Sequence, residues 1–264
     1  MYPDSTPDST PHRTPHRTAH SAPNSAAAAF FDVDETLVNT KSMFHFLRFW
    51  LARHGDDGSG YDAVMAGVHR AAASGVHRSE INRSYYRRFA GVPYEALLEA
   101  GREWWQQYRR GSAAVVVPAW AAATRHRKAG HLLVLVSGSF RGCLEPLAED
   151  LGAHRILCSE PLLDPDGRLT GEVARPMIGS VKADAVRETV VELGLVAADC
   201  SCYGDHSSDL DMLGAVGNPV VVGGDRVLLE HAQRLDWPVL PATPGHLPPP
   251  DASPTRLLTA AERR

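Results

Sequence analysis

The sequence predicts an α/β protein, and three observations carry that expectation. Short, near-continuous apolar runs alternate with longer amphipathic stretches, several of the runs end in polar residues, and one long helical interval interrupts the alternation after the first run. Apolar runs of this kind read as strands covered on both faces, and their alternation with helices gives a parallel sheet. The expected architecture is a three-layer, Rossmann-like parallel sheet core with a small helical cap inserted after the first strand.

The strands are read in order as AAAFFDV (27–33), HLLVLV (131–136), HRILC (154–158), CSCYG (200–204) and NPVVVG (218–223). About 80 residues separate the end of the first strand from the helix before the second, too many for a structureless loop. They carry the helical patterns KSMFHFLRFWLARHG, SEINRSYYRRFAG and PYEALLEAGREWWQQYRRG, which together make the cap. The stretch EPLLDPDGRLTGEV reads as a hairpin turning at DPDG. Residues 26–40 and 114–241 are therefore expected to form the core, and 41–113 the cap. Residues 1–25 hold the duplications PDSTPDST and PHRTPHRT, and 242–264 hold LPPPDASP; neither can build an apolar face, and both read as disordered tails.

With 264 residues, 44% apolar, 22% charged and a net charge of -4, the chain has no signature of nucleic-acid or membrane binding. No stretch approaches the length of a bilayer span, and AAAAFF is too short for the apolar core of a secretory signal. Cys143, Cys158, Cys200 and Cys202 lack the paired spacing of a zinc site or a disulfide framework, which points to a reduced, cytoplasmic setting. Residues 41–117 hold 11 Lys and Arg against 7 Asp and Glu. That basic excess either attracts an anionic substrate or is ordinary solvated surface.

Ligands of open parallel sheets bind at the carboxyl ends of the strands. Asp32 and Asp34 follow the first strand, Ser137 and Gly138 the second, and Gly204 and Asp205 the fourth; Lys182 opens the helix SVKADAVRETVVEL. In that order the elements DVDET, VSGSF, GSVKADAV and GDHSSDLDML, with a cap in the first interval and a GRLTG hairpin before the lysine, resemble the haloacid dehalogenase superfamily of aspartyl phosphatases. The likeness spans nearly all of the folded region and is strongest to the phosphoserine phosphatase-like branch.

The resemblance implies hydrolysis of a small phosphorylated metabolite with Mg2+ as cofactor. Asp32 would be the nucleophile, forming an aspartyl-phosphate that divides one hard displacement into two easier ones. Asp34 would protonate the leaving oxygen and then activate water; crowding two acids raises the pKa of one, which suits that task. Asp32, the backbone carbonyl of Asp34, and Asp205 would hold the metal, with Asp209 just behind them or reaching the ion through water. Ser137, the Gly138 amide and Lys182 would bind the phosphoryl oxygens. Glu35 is read as a solvent-facing turn residue, His206 as a loop residue near the pocket mouth, and Asp211 as facing away, about 200° round the helix from Asp209. Of the adjacent Trp104 and Trp105, at most one is expected to point squarely inward, the other packing on the core or lining the entrance.

Two departures bear on the substrate. Phosphoserine phosphatases hold the substrate ammonium with a glutamate five residues after the motif threonine; here that position is Lys41, which disfavours free phosphoserine. They also carry an asparagine just before the second acid of the last motif, where this chain has Ser208. Transfer of the phosphoryl group to another acceptor and a regulatory role with little turnover stand as alternatives. Asp34 argues against dehalogenation.

Overall fold

The computed structural model describes residues 27–249. Both tail expectations fall partly or wholly outside that range: residues 1–26 and 250–264 are not described.

The first strand, β1 (Ala28–Phe31), leads into the cap helices α1 (Ser42–Arg53), α2 (Ser59–Ala73), α3 (Arg78–Tyr86) and α4 (Tyr94–Tyr108). A two-residue strand β2 (Val115–Val116) and α5 (Val117–Lys128) return the chain to the sheet as β3 (Leu132–Ser137). Then follow α6 (Arg141–Leu151), β4 (Arg155–Cys158), the hairpin β5 (Pro161–Leu163) and β6 (Leu169–Val173), and α7 (Ser180–Glu192). The chain closes with β7 (Ser201–Gly204), α8 (Leu210–Leu213), β8 (Asn218–Val222), α9 (Arg226–Leu235), β9 (Val239–Leu240) and β10 (Pro244–Gly245).

Six strands form one parallel sheet in the order β4-β3-β1-β7-β8-β9. Residues alternate between its faces. Ala29, Phe31, Leu133 and Leu135 pack on one side with α4, α5 and α6, while Ala28, Phe30, Val134 and Val136 pack on the other with α7, α8 and α9. The expected three layers, the five named strands and the inserted cap are all present. The hairpin turns where DPDG placed it: Asp164 Oδ1 accepts from the Asp166 and Arg168 amides, and Gly167 takes a φ of +74°.

Two features were not foreseen, while the tryptophan pair divides as expected. Helix α2 has none of its residues fully buried, so it lacks a strong apolar signature. Trp104 and Trp105 are both buried: Trp104 Nε1 donates to His45 Nδ1 within the cap, and Trp105 Nε1 donates to Asp150 Oδ2 on α6 (2.6 Å). Because α4 lies between the cap aromatics and α6, adjacent positions find separate interiors. Finally, the chain beyond Pro241, read as the start of a tail, pairs Pro244–Gly245 antiparallel with Val115–Val116. Those bonds belong to the main chain and leave no trace in side-chain pattern.

The cap is fastened to the core at a glycine crossing. A Cβ on Gly101 of α4 would meet the Gly142 carbonyl oxygen of α6 at 2.0 Å, so only glycine permits the two helices to lie this close. Arg109, which also ion-pairs with Asp150, adds a polar clamp beside it.

Candidate active site

At the carboxyl end of β1 the chain folds back at once. Glu35 adopts a φ of +64°, a left-handed conformation that costs a non-glycine residue energy and recurs where a site fixes the backbone. Its side chain is exposed and ion-pairs with Lys41, as a turn residue would. The turn brings Asp32 and Thr36 into the same buried space.

There Lys182, 5% exposed at the start of α7, donates to Asp32 Oδ1 (2.6 Å) and to Asp209 Oδ1 (2.8 Å). Thr36 Oγ1 donates to Asp205 Oδ1 (3.0 Å), with Asp32 Oδ2 also in reach at 3.4 Å. Asp209 comes close because its neighbour is Gly204: a Cβ there would lie 2.8 Å from the Asp209 Cβ. Carboxylate oxygens of Asp32, Asp205 and Asp209 all lie within 4.8 Å of one another.

Electrostatics make this cluster unusual. Burial opposes charge on Lys182, but the Asp209 and Asp32 carboxylates outweigh it and the ammonium's pKa is raised. The Asp205 carboxyl is pushed up by burial and by the Asp32 and Asp209 charges. Two of the three carboxylates bond the one ammonium, leaving an acidic excess in a mostly buried place. An all-oxygen donor set with that excess fits a hard divalent cation such as Mg2+. Among the described residues no histidine joins it: His206, half-buried at the mouth, instead accepts from Arg78 Nη1 at its Nδ1 (2.7 Å).

Asp34 is turned differently. Its Oδ1 accepts from the Ser42 amide (3.0 Å), at the first turn of cap helix α1, and its carboxylate stands outside the group of three. Burial first, and the Asp32 charge second, raise its pKa to about 6. The acid is thus poised between protonation states near neutral pH.

The loop after β3 completes the wall. Ser137 Oγ accepts from the Ser139 amide (3.1 Å), and both serines are buried. Ser137, Gly138 and Lys182 line one cleft of about 80 Å3 with Asp32, Asp34, Asp205 and Asp209. Every site residue expected from sequence therefore borders a single space. Asp211 is exposed and lines a neighbouring surface cleft.

Sequence reasoning missed the groups that tie this loop to the cap. Asn82 Nδ2 of α3 donates to the Gly138 carbonyl (2.8 Å), and Ser42 Oγ donates to Ser139 Oγ (3.0 Å). Thr36 was seen as part of a motif but given no role, although its spacing of four residues from Asp32 was the available signal. For Asn82 and Ser42, partners 56 and 97 residues away left no local signal.

The profile of haloacid dehalogenase-like hydrolases matches residues 29–214, and the chain belongs to that family. A Streptomyces azureus protein named for inhibition of morphological differentiation is 29% identical over 234 residues, covering 81% of this chain and 77% of its own. Phosphoserine phosphatase SerB2 of Mycobacterium tuberculosis is 30% identical over 207 residues, 76% of this chain but 45% of that protein. A Bordetella pertussis protein of unknown function superposes with a TM-score of 0.74 at 23% identity, over 83% of this chain and all of that one, and shares the fold.

Proposed function

We propose that this hydrolase is a Mg2+-dependent phosphatase acting on a small-molecule phosphate monoester through an aspartyl-phosphate on Asp32. The observation that carries the reading is the Lys182 ammonium held between Asp32 and Asp209, with Asp205 alongside. A cation in contact with one oxygen of Asp32 leaves the other to attack phosphorus while the ammonium meets the charge of the transferred group.

The Asp32, Asp205 and Asp209 carboxylates and the Asp34 backbone carbonyl are the groups that would hold the ion, which when bound supplies charge neutralisation for the phosphoryl oxygens. As the Asp32 oxygen bonds to phosphorus, the ester bond breaks and Asp34 gives its proton to the departing alkoxide. A water then attacks the same phosphorus, Asp34 takes its proton, and Asp32 is freed with inorganic phosphate. The Ser137 hydroxyl, the Gly138 amide and Lys182 orient the phosphoryl oxygens throughout. The four free, buried cysteines support a reducing, cytoplasmic setting. Among the described residues no helix is long and apolar enough to cross a membrane.

The name of the mycobacterial relative suggests phosphoserine, but Lys41 on the cleft wall opposes a substrate ammonium, although Glu35 pairs with it. The test is phosphate release from a panel of phosphomonoesters, with and without a chelator, for the parent and Asp32→Asn. Loss of at least a thousandfold in the variant, and one phosphate per ester consumed, support the reading. Equal activity in the two proteins, or a phosphorylated acceptor in place of free phosphate, overturns it.

A further inference from the structure

Beside the catalytic cleft lies a second chamber of about 300 Å3, and the two share Lys41, Met43, Phe44, Arg78, Ile178 and His206 as common wall. The chamber adjoins the cleft along that wall, so it offers room for the alcohol portion of an ester whose phosphoryl group sits at Asp32. The chamber's remaining lining is Val68 and Ala72 of α2 with Ile81 and Asn82 of α3.

Its polar groups each hold a partner, although Lys41 and Arg78 keep donors to spare. Asn82 donates to the Gly138 carbonyl and accepts from Ser159 Oγ, Lys41 pairs with Glu35, and Arg78 donates to His206 and to Ser208 Oγ (3.1 Å). Met43, Phe44, Val68, Ile81 and Ile178 offer no hydrogen bond to a hydroxyl-rich body. A polyol or sugar entering here would find little beyond the spare Lys41 and Arg78 donors to replace the water it gives up, whereas an apolar group needs no such replacement.

We propose that the alcohol portion of the substrate is a compact apolar group, seated in this chamber beneath α2. The inference rests on the phosphatase reading and narrows its substrate to esters of aliphatic or aromatic alcohols. Helix α2 suits the part: with no residue fully buried, it presents Val68 and Ala72, one helical turn apart, to whatever occupies the chamber.

The test compares 3-methylbutyl phosphate with glycerol 3-phosphate, which carry alcohols of similar size and the same kind of leaving oxygen but opposite polarity. The expected result is a kcat/KM at least about tenfold higher for the apolar ester. In Val68→Asn, checked for an unchanged melting temperature, that preference should shrink by about threefold or more. A preference for glycerol 3-phosphate, or a ratio that Val68→Asn leaves alone, overturns the inference and leaves the phosphatase standing. No turnover of either ester, with Asp32→Asn indistinguishable from the parent, removes both.

Discussion

The catalytic cleft and the chamber beside it share a wall but are built from opposite materials. In the cleft, Asp32, Lys182 and Asp209 are charged, buried and bonded to one another, and each hangs from the end of a strand or the start of a core helix. In the chamber the lining is largely apolar, and α2, one of its walls, is held by none of its own residues being buried. Buried charges tolerate little displacement, because each depends on its partner for the solvation that water no longer gives. Apolar walls tolerate exchange of shape. On the proposed reading, chemistry is fixed at the sheet, while selectivity rests on elements free to vary.

Substitutions should divide along that line. The largest expected effect is in the cleft: Lys182→Met, which keeps length but removes the charge, should lower kcat by about a thousandfold for every ester. It should also weaken the apoprotein, since two buried carboxylates lose their cation, by about 3 kcal/mol in chemical denaturation. An effect confined to some esters would blur the distinction between the two regions.

Next comes Asp34→Asn, expected to cost about a hundredfold or more for alkyl esters, whose alkoxides need a proton. Nitrophenyl phosphate, with a leaving group stable as an anion, should lose far less in its first step. Asp34 has a pKa raised to about 6 by burial and by Asp32, so the donor form declines as pH rises through that value. The alkyl-to-nitrophenyl rate ratio should accordingly fall from pH 5 to pH 8, by roughly tenfold per pH unit at most once past the pKa, and be flat in the variant. A ratio that rises with pH would mean that Asp34 is not the donor.

Away from both regions, Gly101→Ala tests the fastening of cap to core. A methyl group 2.0 Å from the Gly142 oxygen must push the helices apart, at about 2 kcal/mol by thermal melting. If α4 simply slides, the loss will be small and the cap is held chiefly by its aromatic and Asp150 contacts.

The smallest effect concerns His126, whose Nε2 and the Tyr203 hydroxyl are 2.8 Å apart. Burial first, then the nearby His131 and Arg125 charges, lower its pKa from 6.5 to about 4. Below pH 6.5 the unfolded chain gains a proton that the folded ring refuses until about pH 4, so stability falls across that window as pH drops. With the ring only about half buried, the loss should be roughly 1 kcal/mol, and His126→Gln should remove it.

The sequence made the sheet legible because each strand is a dense apolar run, and the site legible because its acids sit where those runs stop. The same signals fail in the cap. Helix α2 is Ala- and Gly-rich and half exposed, so no strong stripe marks it. The exception is the Trp104–Trp105 pair, whose adjacency itself implied one ring inward and the other on the core or at the entrance. The β10 pairing depends on main-chain groups, and the chamber arises from three cap helices and the segments bearing Ile178 and His206, which meet only in space. Motif chemistry is local in sequence; the shape of a cavity is not.

The proposed chemistry turns on one atom's fate, the Asp32 carboxylate oxygen left beside the Lys182 clamp. Acid-quenching the enzyme during turnover with labelled phosphomonoester, followed by peptide mapping, reads that fate directly. The account expects label on the peptide bearing Asp32, discharged on chase with unlabelled ester and absent in Asp32→Asn. Label on another residue, or rapid turnover with no acyl-phosphate at any time, would contradict it.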